Sequence, residues 1–210
     1  MMSSQDCKEE FQFGVPEMQG AGWLRCRLIE ASDAPWLLEA VTASQAHLQP
    51  WMPWAVTDYT QDMAEEFVTA QVQRDGKLVS EAIYVPCDAE HVFLGCFGLH
   101  ARLGQGALEI GYWVDVRHTR RGVATLAAAL LTEAALSIPG VSRVEIHHDE
   151  ANTLSAGVPQ RLGYSLGCSV QREPEAPGEI GVECQWRMRG QDWPSSAGAQ
   201  LLAEARGQAG

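Results

Sequence analysis

Apolar and polar positions along this chain switch between two spacings, and the switches mark out its elements. Residues 23–30, WLRCRLIE, alternate and predict a strand. From Ser32 the period lengthens. Trp36, Leu37, Ala40, Val41 and Ala43 recur at helical spacing, Ser32 and Asp33 are cap candidates, and Pro35 falls in the first turn, so 32–48 predict a helix. Two prolines in QPWMPWAV break it, and TQDMAEEFVTAQVQRD, 60–75, predicts a second helix stopped by Gly76. Three strand candidates follow, VSEAIYVP (79–86), HVFLGCFGLHARL (91–103) and ALEIGYWVDV (107–116), parted by the turn-prone CDAE and GQG. A helix from Gly122 to about Ser137, the strand RVEIHHDE (143–150), a short helix up to QRLGY and the strands YSLGCSVQRE (164–173) and GVECQWRM (181–188) complete the order βααβββαβαββ. Residues 1–22 are polar without a clear period and predict a flexible lead-in. Residues 194–210, rich in small side chains, predict a frayed helix or no order. The domain between them spans 23–193.

Composition narrows what such a domain does. At 210 residues the chain can bury one sizeable core, so one domain suffices. Its formal net charge of −12 lacks the excess of lysine and arginine that displaces counterions from phosphate backbones, which argues against general nucleic-acid binding. An acidic body suits basic or amine-bearing partners, although acidity also serves solubility. The six cysteines are scattered without a CxxC pair and predict free thiols in a reducing compartment. With no leader-like start and no window reaching the ~18 apolar residues of a membrane span, a cytoplasmic location is expected.

One junction carries chemistry. The segment RHTRRGVATLAAALL, 117–131, joins a strand to a helix through a basic, glycine-containing turn. A helix N-terminus presents unpaired N–H groups and a partial positive charge, so the junction is suited to an anion. Arg120 and Arg121 add charge, Gly122 lets the backbone approach closely, and small Ala124 and Thr125 leave space beside it. A pyrophosphate would fit, whereas the GxxxxGK[ST] and GxGxxG patterns are missing. An ordinary solvated turn remains the alternative reading of the tripeptide alone.

The segment TRRGVA, 119–124, resembles the Q/R-x-x-G-x-G/A acetyl-CoA signature of the GNAT acetyltransferases, with Thr119 where glutamine or arginine is usual. The likeness to the RimJ/RimL-type branch extends over roughly 23–193. It is carried by LRCRLIEASDAPWLLEAV, HLQPWMPWA, EIGYWVDVRHTRRGVAT, NTLSAGVPQRLGYSLG and MRGQDW, in that order. The resemblance implies an α+β, mixed α/β fold whose central, mostly antiparallel sheet is flanked by helices. It also implies an N-acetyltransferase using acetyl-CoA as co-substrate, without a metal. The thioester would be held along the fourth strand at Val114 and Val116, and by Arg120, Arg121, Gly122, Val123, Ala124 and Thr125. Oxyanion donors are expected from backbone N–H groups between Trp113 and Val116.

Acyl transfer to an amine needs a base, an oxyanion donor and an acid. Glu109 lies thirteen residues before Gly122, the offset at which some relatives carry a base, and an acid inside an apolar strand should have a raised pKa. A partly exposed edge carboxylate is its bland alternative. The position seven residues after Asn152, where many members of the family carry an acidic tyrosine, is Pro159. The branch resemblance instead gives Ser155 the task of protonating or stabilising the departing sulfur, and Asn152 that of holding the pantetheine arm. A plain helix cap is the competing reading of NTLS.

Trp51, Trp54 and Tyr59 would line an acceptor mouth or form core beneath the helical pair; Trp113 and His100 are further pocket candidates. HHDE, 147–150, has metal-ligand residue types, but adjacent strand residues face opposite ways and cannot converge on one ion. The implied partner is an amine acceptor, a basic protein N-terminus being one form of it, with a homodimer as the assembly to consider and neither nucleic acid nor membrane. Two other classes stay open: a non-catalytic acyl-CoA-binding module, and an interaction scaffold.

Overall fold

Each strand candidate of the sequence becomes a strand of one sheet. The strands are β1 (Arg25–Leu28), β2 (Glu81–Cys87), β3 (Gly95–His100), β4 (Ala107–Val114), β5 (Arg143–Asp149), β6 (Ser165–Gln171) and β7 (Val182–Arg189), in the spatial order β1-β2-β3-β4-β5-β7-β6. The computed structural model describes residues 11–72 and 78–208. Every neighbouring pair is antiparallel except β4 and β5, which run parallel. A parallel pair needs a long crossover, and the helix α3 (Val123–Ser137) supplies it. The remaining helices are α1 (Ala34–Leu48), α2 (Gln61–Val72), α4 (Thr153–Leu162) and α5 (Ala197–Gly207). This is the mixed, mostly antiparallel arrangement that the resemblance implied.

The sheet has a core on each face. On one, α3 lies close because Ala127, Ala128 and Ala129 offer little bulk, and it buries with Leu130 and Leu131 over Phe97, Leu99, Leu108, Ile110, Val144 and Ile146. On the other, Leu37 and Val41 of α1 and Val68 of α2 cover Ile83, Val85, Cys96 and Trp113. That second core covers only one end of its face, and the exposed remainder becomes the cleft.

The structure revises the domain ends. From Phe11 onward the expected loose lead-in packs: Phe13 is buried and pairs its backbone with Val79, and the Tyr84 hydroxyl donates to Pro16 O at 3.0 Å. The tail is a formed helix. Ser196 Oγ caps α5 by accepting from Ala199 N at 3.1 Å, Leu202 is buried, and Arg206 forks onto Glu133 of α3 at 2.6 and 3.1 Å. The small residues that hide periodicity in the sequence let α5 lie close, with Gly198 against the Trp193 ring. Cys26, Cys87, Cys96 and Cys184 are buried free thiols and Cys168 is exposed; Cys7 and the expected stop at Gly76 lie outside the described residues. Among the described residues, no helix is long and apolar enough to cross a membrane.

Candidate active site

The parallel strands separate early. β4 and β5 pair at Ala107↔Arg143, Leu108↔Val144 and Glu109↔Glu145, after which β4 continues against β3 and β5 against β7. Backbone groups from Ile110 to Val114 thus face a gap in the sheet. An amide or thioester carbonyl can pair with such edge groups as a strand would.

A cleft of about 840 Å³ opens on the sheet face left bare by α1 and α2. Glu109, Ser155, Asn152, Trp51, Trp54, His100 and Trp113 all border it, so the structure brings these sequence candidates together. Trp54 lies 6.0 Å from Trp113 and 6.2 Å from Tyr59, ring centre to ring centre, and this aromatic group forms the wall toward α1 and α2.

Glu109 departs from expectation. Arg102 grips both of its oxygens, at 2.5 and 2.7 Å. Burial is the largest single influence on the carboxyl and pushes it up, but the hydrogen bonds and charge of Arg102 outweigh burial and hold it below the ordinary carboxylate range. The raised pKa predicted from an apolar strand is therefore corrected to a lowered one. Arg102, seven residues earlier in the chain, is the cause, and only the β3–β4 turn brings it near. On the paired strand β5, burial pushes Glu145 up while hydrogen bonds from His147 and Arg143 and the charge of Arg187 bring it down to about 2. His147 places Nε2 at 2.7 Å from Glu145 Oε2, and Nδ1 at 3.4 Å from Glu183 and 3.8 Å from Glu109. His148 belongs to a separate set, with Trp186 Nε1 donating to its Nε2 at 2.9 Å.

Ser155 meets a residue that the sequence did not single out. The Tyr112 hydroxyl of β4 lies 3.1 Å from Ser155 Oγ and 3.2 Å from Ser155 O, bridging the gap between β4 and α4. Burial is the main reason that this phenol is pushed up to about 12, so it stays protonated near neutral pH. Asn152 caps α4 by accepting from Ser155 N at 3.1 Å, which leaves its Nδ2 to donate elsewhere.

The basic turn lies on the far side of the gap. Gly122 caps α3 with φ +82°, offers no side-chain cap, and has open space where a Cβ would point, so the first N–H groups of α3, from Val123 to Thr125, are approachable. Arg120 is exposed with φ +61°, while Arg121 is held at 2.9 Å by His118 and lies over the Trp23 ring. Val114 is buried and Val116 is exposed, with Val116 N donating to Ser44 Oγ at 2.9 Å.

Comparison with known proteins gives a consistent neighbourhood. Residues 24–165 match the family model described as the acetyltransferase (GNAT) domain. YdaF of Bacillus subtilis (strain 168), whose name carries a provisional ribosomal N-acetyltransferase assignment, is 28% identical over 140 residues, covering 66% of this chain and 75% of its own. Mycobacterium smegmatis RimJ, solved with CoA-disulfide, is similar in fold with a TM-score of 0.73 at 22% identity, over 95% of this chain and 97% of that one. Spermidine N-acetyltransferase from Vibrio cholerae, solved with CoA and spermine, gives 0.68 at 13% identity, over 81% of this chain and 98% of that one.

Proposed function

Because the chain belongs to the GNAT acetyltransferase family, we propose that it transfers an acetyl group from acetyl-CoA to a primary amine by direct attack within a ternary complex. The observation that carries this reading is the gap between β4 and β5. It joins an approachable helix N-terminus on one side of the sheet to a polar cleft on the other. Acetyl-CoA supplies the activated acyl group. The first turn of α3 with Arg120 and Gly122 would hold its pyrophosphate, and Asn152 Nδ2 its amide arm. Backbone N–H groups near Trp113 would stabilise the carbonyl oxygen, and the Tyr112–Ser155 hydroxyl pair would return a proton to the departing sulfur.

The acceptor enters from the cleft. Glu66, Glu81, Glu109, Glu175, Glu179 and Glu183 border it against Arg102 and Arg172, an excess of carboxylates that favours a cationic amine over an anionic one. A protein N-terminus and a polyamine both meet that description, as do the acceptors named for the ribosomal and spermidine relatives.

The test is thermal. Acetyl-CoA and CoA at a hundredfold over their dissociation constants should each stabilise the fold by about 2.7 kcal/mol, and ATP should not. A panel of amine acceptors, read by thiol release, then identifies the substrate. Absence of a shift with either CoA species refutes the reading and leaves an interaction scaffold. A shift with no acceptor turned over by any member of the panel favours the acyl-CoA-binding module.

A further inference from the structure

Resting on the proposed acetyl transfer, we propose that His100 is the residue that takes the proton from the acceptor amine, with Glu81 holding its ring in the working tautomer. Three arrangements carry this. First, Glu81 and His100 are direct cross-strand partners on β2 and β3, and His100 Nδ1 lies 2.7 Å from Glu81 Oε1. An ionised carboxylate only accepts, so Nδ1 carries the hydrogen and the neutral ring keeps its lone pair on Nε2. Gln71 of α2 donates to Glu81 Oε2 at 3.0 Å and steadies the carboxylate.

Second, Nε2 lies over two glycines that face each other across β3 and β4. A Cβ on Gly98 would come within 2.3 Å of Nε2, and one on Gly111 within 3.2 Å. Any larger residue at Gly98 would displace the ring, so this pair of missing side chains sets the position of the base. Third, Gly111 lies two residues beyond the last β4–β5 pair, at the mouth of the gap. The lone pair therefore sits where an amine coming from the cleft would meet a carbonyl held in the gap.

The other candidates are committed elsewhere. Glu109 spends both oxygens on Arg102, and His147 turns both ring nitrogens toward carboxylates. The charged and titratable groups around His100 are Glu81 on β2, Arg102 in the turn after β3, Glu109 on β4, Glu66 on α2 and His147 on β5. One N–H bond of the acceptor ammonium breaks and its proton moves to Nε2, leaving the electron pair on nitrogen. That amine forms the N–C bond as the C–S bond breaks. The second proton leaves with the thiolate by way of the Tyr112–Ser155 hydroxyls, so an ammonium with three N–H bonds ends as an amide with one.

The experiment uses the full chain. In wild-type protein, nitrogen-15 NMR of the histidine rings should show His100 with Nδ1 protonated and Nε2 bare at high pH; a ring protonated on Nε2 overturns the proposal without any variant. His100→Gln should lower kcat by about 10²–10⁴-fold. The melting shift given by CoA should be unchanged, and the acid-side fall of the kcat/KM profile should move up to the acceptor amine's own ionisation. His100→Gly should recover part of its rate with added imidazole. Turnover and pH profile unaltered in His100→Gln overturn the role of His100 while acetyl transfer stands. Loss of the CoA shift along with the rate makes the residue structural and also overturns it. Wild-type protein that neither binds CoA nor releases thiol overturns both readings.

Discussion

Asp149 offers a quantitative test of how the cleft floor is held. It ends β5, is buried, and accepts four backbone N–H groups: Ala151 at 3.0 Å, Ile180 at 3.1 Å, Gly181 at 2.9 Å and Val182 at 3.2 Å. Three of these belong to the segment that also carries Glu179, and so the carboxylate ties one wall of the cleft to the sheet. Replacing Asp149 by Asn can keep one oxygen on Ala151 and Ile180, but turns an NH₂ toward Gly181 and Val182. Two buried donors lose their acceptor at about 1–3 kcal/mol each, and partial relaxation places the expected loss near 3 kcal/mol. For a chain of this length that is a melting temperature about 6–12 °C lower. The assay is urea unfolding followed by tryptophan fluorescence at pH 7 and pH 3. Burial pushes the Asp149 carboxyl up, yet the backbone N–H bonds hold it below its ordinary value, so its contribution is complete above the unfolded value and fades as pH falls through the folded one. The gap between wild type and variant should therefore narrow at pH 3. A loss under 1 kcal/mol at pH 7, or an equal loss at both pH values, refutes the reasoning.

Four further outcomes follow from the geometry. Arg102→Gln removes the main opposition to the burial of Glu109 and leaves only the weaker pull of His147 and His100, so the Glu109 carboxyl should rise in a carbon-13 NMR titration; an unchanged value would mean Arg102 is a bystander. Gly122→Asp puts a negative charge and a Cβ at φ +82° on the proposed pyrophosphate seat, and should weaken acetyl-CoA binding more than tenfold by calorimetry, a cost above about 1.4 kcal/mol. Tyr112→Phe removes the hydroxyl from Ser155 and should slow thiol release while leaving the CoA melting shift in place, and equal rates would exclude the hydroxyl pair from sulfur protonation. Leu202→Ala should cost about 2–5 kcal/mol in chemical unfolding, whereas a loss below 1 kcal/mol would show that α5 adds little to the domain.

The elements around the cleft were legible because each has its own short-range signal. Apolar runs bounded by the turn-prone CDAE and GQG marked β2 to β4, and the glycine before an alanine run marked α3. What stayed hidden depends on contacts that no local pattern encodes. Arg102 reverses the direction of the Glu109 shift, and its effect arises only when the β3–β4 register sets it beside that carboxylate. Tyr112 stacks on Phe97, 5.2 Å between ring centres, and from its neighbours looks like core; its hydroxyl gains meaning only when α4 returns from 43 residues away. The two histidines of HHDE join different sets, His148 with Trp186 and His147 with the charge network through residues on β4 and β7. The α5 helix was hidden because small residues, which pack well, give no hydrophobic period.

A single sheet face explains why there is a cleft here at all. Along β2, β3 and β4 its inward positions read Glu81, Ile83, Val85; Cys96, Gly98, His100; and Glu109, Gly111, Trp113. Set side by side in register, these strands sort the face into an apolar end of Val85, Cys96 and Trp113 and a charged end of Glu81, His100 and Glu109. Helices α1 and α2 can bury the first end with a hydrophobic gain, but covering the second would strip water from ions. Pairing makes the charged end tolerable without a lid: Glu81 with His100, Glu109 with Arg102, Glu145 with His147, Arg143 and Arg187. The residues that stop the helices from closing over the sheet are thus the same ones that line the space left open. Where β4 and β5 part, that charged floor meets the gap, and a base at His100 needs no element of its own because the register of three strands already delivers it there.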